Sequence, residues 1–436
     1  MTQLSSDRGA AMSRAAKRGG LVWKCLLIAM AASTSLPLVG QTSASTATGS
    51  TVGELNLVLS TTSVTYGWQR AEVWNDTDPT WPAAHYLPTG RDNQTGQPER
   101  LFGSPQPPSS EFILFQAPGA ITNSGPPVLL VMGAGDSVTR EYADPNLGGA
   151  YTCGAAVCPT TGLMQYLAAD GDRVFAVDFA NIQGNNFAWA QTISDALQVV
   201  CSETGTSSVD LVAWSKGAFA ARMYVSSIAP SWGRPYDGDV AKLVLVGNPN
   251  GGLDYTFAHG TEADPEIYPQ CGGSLNGPSP SQSYMCYGVV YTEPNLSIDS
   301  IYWTGQRQML ARWDSTYGID ETQDTWYTTY YGGTGYTSTS DGIQYAIDHG
   351  SLVSTIQQAG IPGSVPTYLL CGGAPTIPGF YNENRGPSDG VVFVASCEDT
   401  AGITNLATVE LLSGDNHLML GWEPTAESTI ARWLSS

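Results

Sequence analysis

Lysine nearly vanishes from this chain after its first residues: beyond Lys24 there are only Lys216 and Lys242. Lysine and arginine together number 18 against 39 aspartates and glutamates, a formal charge of −21. Phosphate backbones and anionic lipid surfaces are held by clustered cations, so nucleic acid and an anionic membrane are excluded as partners. Charged residues of either sign make up only 13% of the chain, which disfavours a helical bundle. Long apolar runs are missing too. CLLIAMAAS, near the start, is short and interrupted, whereas a spanning helix needs about 20 apolar residues. Histidine is scarce, with His85, His259, His349 and His417 the only four. No Cys-x-x-Cys pair or His-rich cluster occurs, so a metal is not expected.

What the chain does have suits a large folded core: 436 residues, 42% hydrophobic and 10% aromatic, with 49 glycines and 27 prolines marking many loops. Residues 1–45 stand apart from it. Arg8, Arg14, Lys17, Arg18 and Lys24 form a basic leader, the apolar stretch follows, and QTSASTATGS is a small-residue exit. This is the pattern of a cleaved export signal, which predicts an extracellular or periplasmic location. Export makes the seven remaining cysteines disulfide candidates with one left over. Proximity pairs Cys153 with Cys158, Cys271 with Cys286, and Cys371 with Cys397.

Residues 46–111 are polar and turn-rich, and can contribute early strands. From residue 112 to 249 the pattern alternates. EFILFQAP, PPVLLVMG, DRVFAVDFA, VDLVAW and AKLVLVGNP read as strands; TGLMQYLAADG, AWAQTISDALQVVCSETG and KGAFAARMYV read as helices. Apolar strands separated by amphipathic helices predict an α/β fold with a mainly parallel sheet covered on both faces. Residues 250–360 break the alternation with glycine, serine, threonine and aromatics. That stretch is too long for a connection and is expected to be a cap-like insertion, closed by one helix over DGIQYAIDHGSLVSTIQQAG. Residues 361–436 resume the sheet pattern with VPTYLLCGG and ATVELLSGDNH, then end on the helix PTAESTIARWLSS.

Ser215 sits where the strand VDLVAW turns into a helix. A nucleophile on so tight a turn approaches its own backbone and needs small residues two positions to either side, which Ala213 and Gly217 supply. The helix that follows offers its positive end to developing negative charge. A serine hydroxyl needs a base, and the base an orienting carboxylate. His417, just beyond the last strand, and Asp389, in the turn GPSDGVV, complete the order Ser…Asp…His. The glycine-lined turn in LLVMGAGDS can aim backbone donors at an oxyanion, assigned to the N–H groups of Ala134 and Lys216.

These stretches resemble the α/β-hydrolase family, and within it the secreted bacterial lipases and polyesterases. VMGAGDS, VDLVAWSKGAFAAR, PSDGVVFVASC and GDNHLML carry the likeness, which spans roughly residues 112–249 and 365–436. The resemblance implies a cofactor-free serine carboxylic ester hydrolase with a lid between its later strands. Two departures bear on the subfamily: Ala213 stands where glycine is commoner, and Met132 where those lipases usually carry histidine.

Other readings stay open. Asp254, in NPNGGLDYTF, ends the strand after the nucleophile helix and is the alternative acid. Asp136 and Asp178 are expected to satisfy loop backbone, and Asp415 to be a turn residue capping backbone amides. Trp214 either lines the acyl pocket or packs beside the turn. Lys216 is expected to point outward and contribute only its N–H. The expected substrate is an apolar or polymeric ester. An acyltransferase using the same triad, or a catalytically silent hydrolase scaffold used for binding, are the alternatives.

Overall fold

Strands buried at every position need cover on both faces, and here such strands occupy the middle of the sheet. The computed structural model describes residues 51–52, 54–86, 90, 92–258, 301–319, 330–334, 339–380 and 382–436. Its first eight strands are β1 (Thr51–Val52), β2 (Leu55–Thr61), β3 (Arg70–Asp76), β4 (Glu111–Gln116), β5 (Val128–Val131), β6 (Val174–Phe179), β7 (Val209–Trp214) and β8 (Val240–Val246). A small hairpin, β9 (Gly333–Thr334) with β10 (Thr339–Ser340), stands apart; β11 (Thr367–Gly372) and β12 (Leu406–Leu412) return to the main sheet. The main sheet has ten strands in the order β1-β2-β3-β4-β6-β5-β7-β8-β11-β12.

The six strands from β6 to β12 run parallel, while β1 to β4 join antiparallel at one edge. Residues 46–111 therefore do supply early strands, β1 to β3, at that edge. Every residue of β5, β6, β7 and β11 is buried, whereas the edge strand β12 is largely exposed or half-buried. That gradient is what parallel central strands under two helical layers require. Helices Asn186–Thr204 and Ser215–Val225 pack on each other, as do Leu163–Asp170 and Pro424–Leu434. Among the described residues no helix is long and apolar enough to cross a membrane.

The expected single helix after residue 341 is two, Gly342–Asp348 and Val353–Ala359. The break has a visible cause. Ser351 Oγ donates to the Leu310 carbonyl at 2.7 Å and the Leu352 N–H to the Gln308 carbonyl at 2.9 Å, so residues between the helices are spent on tertiary bonds. Disulfides join Cys153 to Cys158 and Cys371 to Cys397, and Cys201 is free among the described residues. The leader, the Cys271–Cys286 pairing, His259 and much of the aromatic insertion lie outside the described residues.

Candidate active site

All the candidate groups come from the carboxyl ends of parallel strands. β7 leads straight into the helix Ser215–Val225, and Ser215 at the junction has a left-handed φ of 53°. A non-glycine residue held there is strained, and strain of this kind persists only where its surroundings enforce it. Gly217 explains the enforcement. A Cβ at that position would collide with the Met132 carbonyl, so the helix can butt against the end of β5 only if residue 217 has no side chain. β5 is the neighbour of β7, with Val131 opposite Ala213, and the loop leaving β5 therefore passes directly beside the serine. A Cβ at Gly133 would stand 2.6 Å from the Trp214 ring and 3.1 Å from Ser215 Cβ.

The other two groups arrive from β11 and β12. His417 follows β12 in a loop and Asp389 follows β11; both are buried. His417 Nε2 lies 2.9 Å from Ser215 Oγ, and His417 Nδ1 lies 2.7 Å from Asp389 Oδ2. The remaining Asp389 oxygen accepts the N–H groups of Val391 (3.0 Å) and Val392 (2.7 Å), and the His417 N–H donates to the Asp389 carbonyl at 2.8 Å. The carboxylate is thus fixed by backbone donors while one oxygen stays aimed at the imidazole. The structure brings Ser215, His417 and Asp389 into one hydrogen-bonded line.

The loop bearing His417 is braced from outside. Asn416 Nδ2 donates to the Gly154 carbonyl at 2.8 Å and the Thr376 carbonyl at 3.0 Å, and Trp422 Nε1 to the Cys153 carbonyl at 2.9 Å. The small Cys153–Cys158 loop is thereby a buttress of the histidine, a role that nothing in the sequence signals.

Trp214 is buried. Its Nε1 donates to the His417 carbonyl at 3.1 Å and its ring lies 4.9 Å from the imidazole, while its other neighbour is Gly133. Its N–H braces the histidine loop and its ring packs against the turn after β5, and it also lines a small recess with Thr152, Cys153, Leu418 and Trp422. The N–H of Lys216 belongs to the first turn of its helix, where backbone donors lack intrahelical partners.

The Lys216 side chain corrects the expectation that it points outward. It is 1% exposed, its Nζ lies 3.0 Å above the Trp189 ring centroid, and no hydrogen-bond partner reaches it among the described residues. Trp189 and the backbone of Gly305 close over it, and burial pulls its pKa well below the ordinary lysine value. Asp254, the alternative acid, is not brought to the histidine. Its oxygens meet Arg385 Nη2 and Tyr330 Oη, each at 2.7 Å, and burial raises its pKa in spite of the guanidinium.

Asp178 accepts the Val138 N–H at 2.7 Å and Asp136 the Ser137 N–H at 2.7 Å, as loop-satisfying residues do. Asp415 does cap backbone amides, through its main chain. The amides of Gly373 and Ala374 are taken by its backbone carbonyl, and its Oδ2 has no hydrogen-bond partner among the described residues. Burial pushes its pKa up to about 6. His85 and His349 are exposed, and His349 stacks on Tyr345. A cavity of about 300 Å³ opens beside the turn after β5, walled by Tyr66, Gln97, Gly135, Thr139, Leu147 and Ile182 among others.

No family model matches the chain. Among solved structures it is similar to the mature lipase of Bacillus licheniformis, at 12% identity over 74% of this chain and 97% of that one, with a TM-score of 0.41. It is also similar to a thermostable carboxyl esterase of Bacillus coagulans, at 10% identity over 81% and 99% with a TM-score of 0.38. A monoglyceride lipase of Saccharomyces cerevisiae matches at 12% identity over 74% and 91%, TM-score 0.38.

Proposed function

We propose that this chain, an α/β-hydrolase by fold, hydrolyses carboxylic esters through an acyl-enzyme on Ser215. One observation carries the reading: the serine of a strained strand-to-helix turn lies 2.9 Å from an imidazole whose far nitrogen meets a buried carboxylate at 2.7 Å.

His417 Nε2 takes the proton of Ser215 Oγ as that oxygen bonds to the ester carbonyl carbon. The carbonyl oxygen becomes an oxyanion and accepts the N–H groups of Ala134 and Lys216. As the intermediate collapses, the proton on His417 leaves with the alcohol and the acyl group stays on Ser215. A water molecule, deprotonated by the same nitrogen, then attacks the acyl carbon and releases the acid. Asp389 holds the imidazole in the tautomer that keeps Nε2 free to accept, and stabilises the imidazolium when it forms.

The substrate class proposed is an apolar or polymeric ester met outside the cell. Two features support it beside the low cation content. Tyr151 and Val157 are exposed on one of the loops bonded to Asn416, and Phe380 is exposed near the other, so the histidine loop is flanked by apolar side chains. The Cys153–Cys158 and Cys371–Cys397 bonds suit an oxidising compartment.

The test is a hydrolysis panel from short p-nitrophenyl esters through triglycerides to aliphatic polyester films, run on the wild type and Ser215→Ala with an alcohol acceptor in parallel. Free acid as the main product, lost in the variant, is expected. Activity retained by Ser215→Ala would overturn the assignment, and transfer to the alcohol as the main outcome would replace hydrolysis by acyl transfer.

A further inference from the structure

The turn that carries Ala134 is held by more bonds than a surface loop needs. Tyr142 Oη donates to the Val131 carbonyl at 2.9 Å, and the Gly133 N–H donates to Glu141 Oε1 at 2.7 Å. The Gly135 N–H donates to the Ile182 carbonyl at 2.9 Å, and Arg140 Nη2 to the Gly135 carbonyl at 3.3 Å. Between these anchors the Ala134 N–H makes no hydrogen bond among the described residues. Three of the anchoring side chains, Arg140, Glu141 and Tyr142, are consecutive and sit on one short π-helical turn, Thr139–Ala143. Such turns are rare and recur at functional sites.

Glu141 is the unusual member. A buried carboxyl is costly, and a single backbone N–H can be satisfied more cheaply by a carbonyl. Yet Glu141 is 6% exposed, spends one oxygen on Gly133 and leaves Oε2 with no hydrogen-bond partner among the described residues. The groups facing it are Asp136, Asp178, Arg140 and Tyr142. Arg140 is already paired with Asp136 at 2.5 Å.

We propose that Glu141 is a positioning residue for ester hydrolysis: by gripping the Gly133 N–H it fixes the Met132–Gly133 peptide, one unit before the peptide that carries the Ala134 N–H, and with the Gly135 N–H held on the far side it aims the free Ala134 N–H at the oxyanion. The inference rests on the function proposed above and assigns a residue which that mechanism does not use. The chemistry of the carboxyl agrees with it. Burial above all raises the Glu141 pKa well above the ordinary carboxyl range, which disfavours a negative charge beside the oxygen that acquires one. A neutral acid accepts the Gly133 N–H through its carbonyl oxygen, and a glutamine can do the same.

The experiment compares kcat and KM on a short p-nitrophenyl ester for the wild type, Ser215→Ala, Glu141→Met and Glu141→Gln, each normalised to folded protein. Methionine keeps the volume but offers the Gly133 N–H no comparable acceptor. It is expected to lower kcat about 10- to 100-fold with KM within about twofold, because misplacing a donor penalises the transition state alone. Glutamine is expected to stay within about threefold of wild-type kcat. A merely structural carboxyl would lower the melting temperature without splitting kcat from KM. Wild-type kcat in folded Glu141→Met, or an equal loss in both variants, would overturn the inference. Should the methionine variant not fold, Glu141→Asp, which draws the carboxyl back by one methylene, takes its place under the same expectation. Failure of Ser215-dependent hydrolysis in the wild type would remove the proposed function and this inference together, whereas an unaffected Glu141→Met beside an inactive Ser215→Ala removes this inference alone.

Discussion

Asp389 and Asp254 are near twins in placement and opposites in company. Each follows a parallel strand at the carboxyl edge of the sheet, and each is 1% exposed. Asp389 is held by two backbone N–H groups and turns its second oxygen to His417. Asp254 gives its oxygens to Arg385 and Tyr330, and Arg385 is shared with Glu383. Burial and strand-end position are therefore common to both, and only the partner separates a carboxylate that can orient a base from one that closes a structural network. Backbone donors fix a carboxylate without neutralising it; a guanidinium and a phenol use it up.

The comparison breaks if the two substitutions to asparagine behave alike. Asp389→Asn presents an amide to Nδ1 and favours the wrong imidazole tautomer, so kcat on a short ester should fall by roughly 10⁴-fold while the fold survives, as circular dichroism would report. Asp254→Asn should leave kcat within about threefold and instead destabilise the protein, on the order of 1–3 kcal/mol, read as a lower melting temperature. The same variant sharpens the contrast through pH. The folded pKa of Asp254 is raised, so between its unfolded and folded values the native state binds more protons than the unfolded one. Its contribution is full below the unfolded pKa, near 4, and fades as pH rises through the folded value. Asp254→Asn should flatten that part of the stability profile, the smallest of the three effects; an unchanged slope would contradict the assigned environment.

Much of this site could be read along the chain because its requirements are local. A nucleophile turn needs small residues at fixed offsets, and Ala213 and Gly217 meet that need within five positions. His417 and Asp389 follow recognisable strands, so their convergence follows from the sheet order. What escaped reading is set by contacts distant in sequence. The inward turn of Lys216 depends on Trp189 and on the backbone of Gly305, neither of which leaves a mark near residue 216. The grip of Glu141 on Gly133 depends on a π-helical turn, which hydrophobic periodicity does not announce. The brace on the histidine loop joins residues more than 260 positions apart, Gly154 to Asn416. The helix break after Asp348 is likewise made by bonds to Gln308 and Leu310 rather than by its own residues alone.

The most direct trial of the acyl-enzyme is to quench turnover of a slowly deacylated p-nitrophenyl ester and weigh the protein and its peptides by mass spectrometry. The account predicts one added acyl group, mapped to Ser215 and absent from Ser215→Ala. An adduct on another residue, or turnover with no covalent species during a measured burst of p-nitrophenol, would contradict it.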